Sequence, residues 1–100
     1  MEVGASIDGS RALIAPKGKL TVRTSPDLGA AIDGLPDDVS DIDIDLTDVE
    51  YVASAGMRVF VSADKLAVSR GGTMRLLSPS DEVVEALDIT GLTEILAIVR

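Results

Sequence analysis

A chain of 100 residues with 46% hydrophobic content suffices for one compact domain spanning residues 1–100 and leaves no room for a second. Its 9 basic and 17 acidic residues give a net charge of −8, which repels nucleic-acid phosphates and anionic lipid head groups, and with Phe60 and Tyr51 as the only aromatics there is no platform for stacking bases. Having neither cysteine nor histidine, the chain cannot form disulfides, thiolate zinc sites or the Ser-His-Asp and Cys-His machinery of nucleophilic catalysis, so no catalytic residue, metal or cofactor is expected.

Read in chain order, Val3 to Ile7 and Arg11 to Ala15 alternate weakly about Asp8-Gly9 and predict a β-hairpin. Gly18 to Val22 reads as a short strand extension. Ser25-Pro26-Asp27 then supplies an N-cap, a proline at the first helical position and an acid in the first turn, opening a helix whose apolar positions Leu28, Ala31, Ile32 and Leu35 recur at helical spacing. Gly34 and Pro36 end it. Asp41 to Leu46 alternates strictly, with Ile42, Ile44 and Leu46 on one face and three aspartates on the other, which predicts a half-buried strand with a solvated acidic face.

After a loop, Ser54 precedes a long helical run to Arg70, with Gly56, Val59, Phe60, Ala63, Leu66 and Ala67 as its buried stripe and Gly71-Gly72 as its stop. Thr73 to Leu77 is the next strand. Ser78-Pro79-Ser80-Asp81 resembles an N-cap with proline at the first helical position and opens a third helix to about Asp88, Thr90-Gly91-Leu92 turns the chain, and Ile95 to Val99 is a last strand. The order ββαβαβα with a final β predicts, through right-handed crossovers, an α/β domain with parallel consecutive strands and helices on one shared face. The longest apolar runs are strand-sized, far below the roughly 20 residues that span a bilayer, and no signal-peptide pattern opens the chain, so a cytoplasmic protein without membrane insertion is expected.

Most motifs that carry chemistry fail on inspection. Asp41-x-Asp43-x-Asp45 begins like a calcium loop, but Leu46 stands where the turn needs glycine and Val52 where the bidentate acid belongs. Neither Gly71-Gly72 nor Gly91 forms a phosphate cradle, having neither the spacing nor a following lysine. Val52-Ala53-Ser54-Ala55-Gly56 is shaped like a nucleophile elbow without its first glycine or any histidine base. What remains is a serine at the mouth of a helix, flanked by small residues that leave it open to an approaching protein.

The run Asp45-Leu46-Thr47-Asp48-Val49-Glu50-Tyr51-Val52-Ala53-Ser54-Ala55-Gly56-Met57-Arg58-Val59 resembles the signature of the STAS family, the domain of bacterial anti-sigma-factor antagonists. Gly18-Lys19-Leu20, Gly71-Gly72 and the stretch from Ser78-Pro79 to Thr90-Gly91-Leu92 resemble further marks of that family, in register with the strands and helices read above. The resemblance implies a mixed, mostly parallel sheet of four to five strands with helices layered on one face. It also implies a partner switch: the unphosphorylated antagonist binds an anti-sigma factor that is itself a serine kinase, phosphorylation at the start of the second helix ends binding, and a PP2C-type phosphatase restores it.

The family's usual run is Asp-Ser-Ser/Thr-Gly-Leu, with the hydroxyl residue before the glycine as acceptor. Here Ala55 occupies that position, Ala53 replaces the aspartate, and Ser54 is the only hydroxyl in the run. Either Ser54 is the phosphorylation site or the domain docks without being switched, as an accessory subunit of a larger complex such as a lipid-trafficking ABC transporter. The partner surface implied is Ala53, Ser54, Ala55, Gly56, Met57 and Arg58. A structural role for Ser54 needs no regulation, since an N-cap hydroxyl that accepts a first-turn N–H is worth about 1 kcal/mol. Met57 reads equally as core filler or docking anchor, and Arg58 as solvated or paired with Asp48 or Glu50.

Overall fold

Val, Ile and Leu on alternate positions give this chain its sheet. The computed structural model describes all of residues 1–100. Strands β1 (Val3–Asp8) and β2 (Arg11–Pro16) form the expected hairpin, in register from Val3 opposite Pro16 to Asp8 opposite Arg11. Asp8 closes β1, so the two turn residues are Gly9 and Ser10 instead of Asp8-Gly9. Glycine takes the first central position with φ +62°, a conformation that side-chain-bearing residues resist.

The segment expected to extend the hairpin leaves it. Strand β3 (Gly18–Leu20) pairs in parallel with β5 (Val49–Val52) as a separate two-stranded sheet, and β5 occupies the stretch read from sequence as loop. Only Val49 and Val52 of β5 face inward, while Glu50 and Tyr51 are exposed, so its apolar alternation is too brief to register as a strand signal. The main sheet has the order β1-β2-β4-β6-β7, in which β4 (Asp41–Asp45), β6 (Met74–Leu77) and β7 (Ala97–Val99) run parallel to β2. The last strand is shorter than expected, and Ile95 lies outside it, exposed.

Helices α1 (Ser25–Asp33), α2 (Ser54–Ser69) and α3 (Asp81–Ile89), with a 3₁₀ turn at Leu92–Glu94, complete the chain, and none is long and apolar enough to cross a membrane. Their apolar stripes meet the sheet: Leu28 and Ile32 of α1, Phe60 and Ala63 of α2, and Val83 and Leu87 of α3 join Ile14, Ile42, Ile44 and Leu76 in one core. Each fully buried large aliphatic or aromatic side chain contributes about 1.5–3 kcal/mol. The caps fall one or two residues from their expected places. Thr24 holds the N-cap position of α1 without a side-chain cap bond, its hydroxyl instead accepting the Thr21 N–H at 2.8 Å ahead of the helix, while Ser25 is the first helical residue. Ser80 caps α3 by accepting the Val83 N–H at 3.2 Å, which leaves Pro79 outside the helix.

The acidic face of β4 differs from the solvated row expected of it, because Asp43 is only 4% exposed. Parallel neighbours on both sides bring two arginines over it. Arg75 of β6 donates from Nε at 2.9 Å and from Nη2 at 2.8 Å to its two carboxylate oxygens, and Arg11 of β2 donates from Nη1 at 3.0 Å. The Arg75 hydrogen bonds hold the Asp43 carboxyl below the usual carboxylate range, against the opposing pull of burial and with further help from Arg11.

Candidate functional site

The chain enters α2 directly from β5. Ala53 is the N-cap, with extended backbone at φ −83° and ψ 172°, and its N–H donates to the Leu20 carbonyl at 2.8 Å, tying the start of the helix to β3. The Ala53 carbonyl accepts from the N–H groups of Gly56 at 3.0 Å and Met57 at 3.1 Å, closing the first turn. Ser54 is therefore the first residue inside the helix and not its cap, and its hydroxyl makes no cap hydrogen bond. The purely structural role considered for it does not hold in this geometry. Its side chain is exposed and without a protein partner.

Gly56 explains how the hydroxyl comes to stand free. A Cβ on this residue would lie 2.9 Å from Leu20 Cβ and 2.9 Å from Val52 Cγ1, so the opening turn of α2 rests on β3 and β5 with only a hydrogen between them. Gly56 is buried, Ala55 is half-buried, and Ser54 is carried outward. Met57 packs its stem against the core while its side reaches solvent, so it is both filler and surface. Arg58 is exposed and forms no ion pair, which leaves the solvated alternative and removes pairing with Asp48 or Glu50. Asp45, at the end of β4, is engaged with Thr47, whose hydroxyl donates to it at 2.6 Å.

Of the six residues expected to meet a partner, Ser54, Met57 and Arg58 come together along one groove, Ala53 and Ala55 are half-buried outside its lining, and Gly56 is buried beneath. The structure adds residues that the sequence reading missed. Along α2, Ser54, Met57, Arg58, Val61 and Lys65 line one wall of an open groove of about 480 Å³, and Thr90 and Leu92, from the turn after α3, line the other. Lys65 was detectable in the sequence, because positions 54, 57, 58, 61 and 65 recur on one helical face. Thr90 and Leu92 had no such signal, since only the packing of α3 brings them across.

The family profile described as "Mlab, STAS domain" matches residues 3–99. The chain belongs to the STAS family. Within it, this STAS domain is 35% identical over 81 residues to an anti-sigma-B factor antagonist of Bacillus subtilis, covering 81% of this chain and 74% of the relative. Its fold superposes with a TM-score of 0.85 on an anti-sigma factor antagonist from Mycobacterium paratuberculosis, at 18% identity and over 98% of this chain and 84% of the other. The phosphorylated form of SpoIIAA, a Bacillus cell fate determinant, superposes with a TM-score of 0.76 at 16% identity over 99% of this chain and 92% of that one. The mixed, mostly parallel sheet of four to five strands expected from the family marks is observed with five, together with the three helices read along the chain.

Proposed function

We propose that this STAS domain is a cytoplasmic partner-switching regulator, an anti-sigma-factor antagonist that docks through the opening of α2 onto an anti-sigma factor with serine-kinase activity and leaves it once Ser54 is phosphorylated. The observation that carries this reading is the Ser54 hydroxyl, exposed, unbonded and the only hydroxyl between Ala53 and Arg58. Ala53, Ser54, Ala55, Met57 and Arg58 form the contact over the buried Gly56, with Met57 as apolar anchor and Arg58 as unpaired cation.

In the switch, the kinase transfers the γ-phosphoryl group of ATP to Ser54 Oγ. The new O–P bond forms as the bond to the departing ADP breaks, and the hydroxyl proton passes to the kinase. The product carries about −1.5 to −2 charge at the positive end of α2, where the helix dipole tolerates it and the fold persists. A partner surface that excluded water from the same dianion would have to strip its hydration without compensation, so docking ends without unfolding. A PP2C-type phosphatase resets the site.

Incubation with the cognate kinase and ATP, followed by peptide mapping, is expected to find the phosphoryl group on Ser54. In a binding assay Ser54→Ala keeps the kinase and Ser54→Asp loses at least about tenfold in affinity, the effect of one uncompensated charge at a contact. Equal binding by both variants would instead support a second reading. In that reading the domain is a permanently docked accessory subunit of a larger assembly such as a transporter, favoured by Ala53 and Ala55 standing where the family's run has its acid and acceptor. Co-purification with a transporter ATPase distinguishes it.

A further inference from the structure

The groove beside α2 has an electrostatic character opposite to that of the whole molecule. The chain carries a net charge of −8, yet no acid lines this groove, and its only charged residues are Arg58 and Lys65. The other two surface depressions each include acids, Asp33 in the one that Arg58 also borders and Glu50 with Glu82 in the other. Neither groove cation is ion-paired, unlike Arg11, Arg70, Arg75 and Arg100, and of the other unpaired cations, Lys17, Lys19 and Arg23, only Lys19 lines a depression, one that also holds Glu50 and Glu82.

The spacing adds to the charge. Arg58 and Lys65 lie two helical turns apart on one face of α2, about 10 Å along its axis. Between and beside them Met57 and Val61, with Leu92 opposite, offer apolar surface at the i, i+4 rhythm that a second helix can match. A small anion would use the cations and leave the apolar side chains wet, and an extended peptide would find no free strand edge in this groove. A helix with an apolar stripe and acids seven residues apart satisfies both features.

We infer that the α2 groove accepts an acidic amphipathic helix of the partner protein, with Arg58 and Lys65 reading two carboxylates and Met57, Val61 and Leu92 holding its apolar face. This rests on the reading of α2 as the docking element and specifies the chemistry of what docks there. It also gives the switch a direct electrostatic basis, since Ser54 lines the same groove and a phosphoryl group on it would cancel most of the charge of the two cations.

The test uses the full chain and designed helical peptides of about four turns, followed by backbone amide NMR. A peptide with leucines on one face and glutamates seven residues apart beside them is expected to shift Met57, Arg58, Val61, Lys65, Thr90 and Leu92. The same peptide with lysines in place of the glutamates, and inorganic phosphate at equal ionic strength, are expected to leave those amides in place. Arg58→Glu with Lys65→Glu, both at exposed positions that leave the core intact, should weaken the glutamate peptide about tenfold and admit the lysine peptide, and added salt should reduce both.

Shifts outside the groove, equal binding of the two peptides, no binding of either, or the same shifts from phosphate alone would overturn the inference. The kinase itself separates this result from the reading beneath it. If the cognate kinase binds wild type and the Arg58→Glu, Lys65→Glu double variant equally while still discriminating Ser54→Asp, the groove assignment fails and the partner switch stands. If the glutamate peptide docks as expected but no kinase modifies Ser54, the groove stands and the phospho-switch fails.

Discussion

A single methyl group tests how α2 is seated. Gly56→Ala would place a Cβ 2.9 Å from Leu20 Cβ, an atom fixed to the β3 backbone, so the strain cannot be relieved by a rotamer change and the helix start must shift. The expected loss is about 1–3 kcal/mol, the usual range for overpacking. Gly29, inside α1, has no such constraint, because its added Cβ would meet Val59 Cγ2 at 3.9 Å, an ordinary contact. Gly29→Ala should raise stability by about 0.5–1 kcal/mol through helix propensity. Urea midpoints of the two variants should move in opposite directions, and a shift of the same sign in both would contradict the packing described. Docking at Ser54 should suffer in Gly56→Ala as well, since the same close approach lifts the hydroxyl to the surface.

At the level of elements, the caps carry a comparable prediction. Ser80 caps α3 through its side chain, whereas α2 starts at Ala53 with the right extended backbone and no side-chain acceptor. Ala53→Asp is expected to stabilise the domain by about 0.5–1 kcal/mol, by accepting an N–H of the first turn and complementing the helix dipole, and Ser80→Ala to lose about 1 kcal/mol. Calorimetric melting of the two variants checks this, and a destabilised Ala53→Asp would mean that the N-cap geometry at residue 53 is wrong. The same elements show what a sequence discloses. Helical runs were legible because Leu28 with Ile32, Phe60 with Ala63 and Ala67, and Val83 with Leu87 repeat at the helical period, and Gly71 at φ +79° stops α2 where expected. Cap positions were not legible to the residue, because Ser25 and Ser54 satisfy the compositional rule for a cap while the backbone places Thr24 and Ala53 there. Strand β5 was hidden by its brevity. At the candidate site, the small residues around Ser54 were readable, but the opposite groove wall depends on where α3 packs.

For the molecule as a whole, the ion cluster at the centre of the sheet sets how stability depends on acidity. Asp43 has its folded-state pKa lowered, chiefly by the Arg75 hydrogen bonds, so its contribution is complete above the ordinary carboxylate value near 4 and is lost as pH falls through the lower folded value. Asp43→Asn should therefore lose about 1.5–3 kcal/mol at neutral pH, the range for hydrogen bonds to a charged group, and the gap to wild type should narrow as pH falls below the ordinary carboxylate value. A difference in urea midpoint that persists undiminished in acid would show that the carboxylate charge is not what matters there. The burial of Asp43 was invisible in the alternation of β4, since its cover comes from Arg11 and Arg75, distant in sequence and delivered only by strand order. That order also bears on how the chain is born. Strand β4 needs β2, which has already been synthesised, and β6, which follows only after the whole of α2, so one of its edges waits unpaired on the nascent chain. An acid at every second position makes such a half-finished strand repel its copies on neighbouring ribosomes, so the residues that later lock the sheet together first protect it from aggregation.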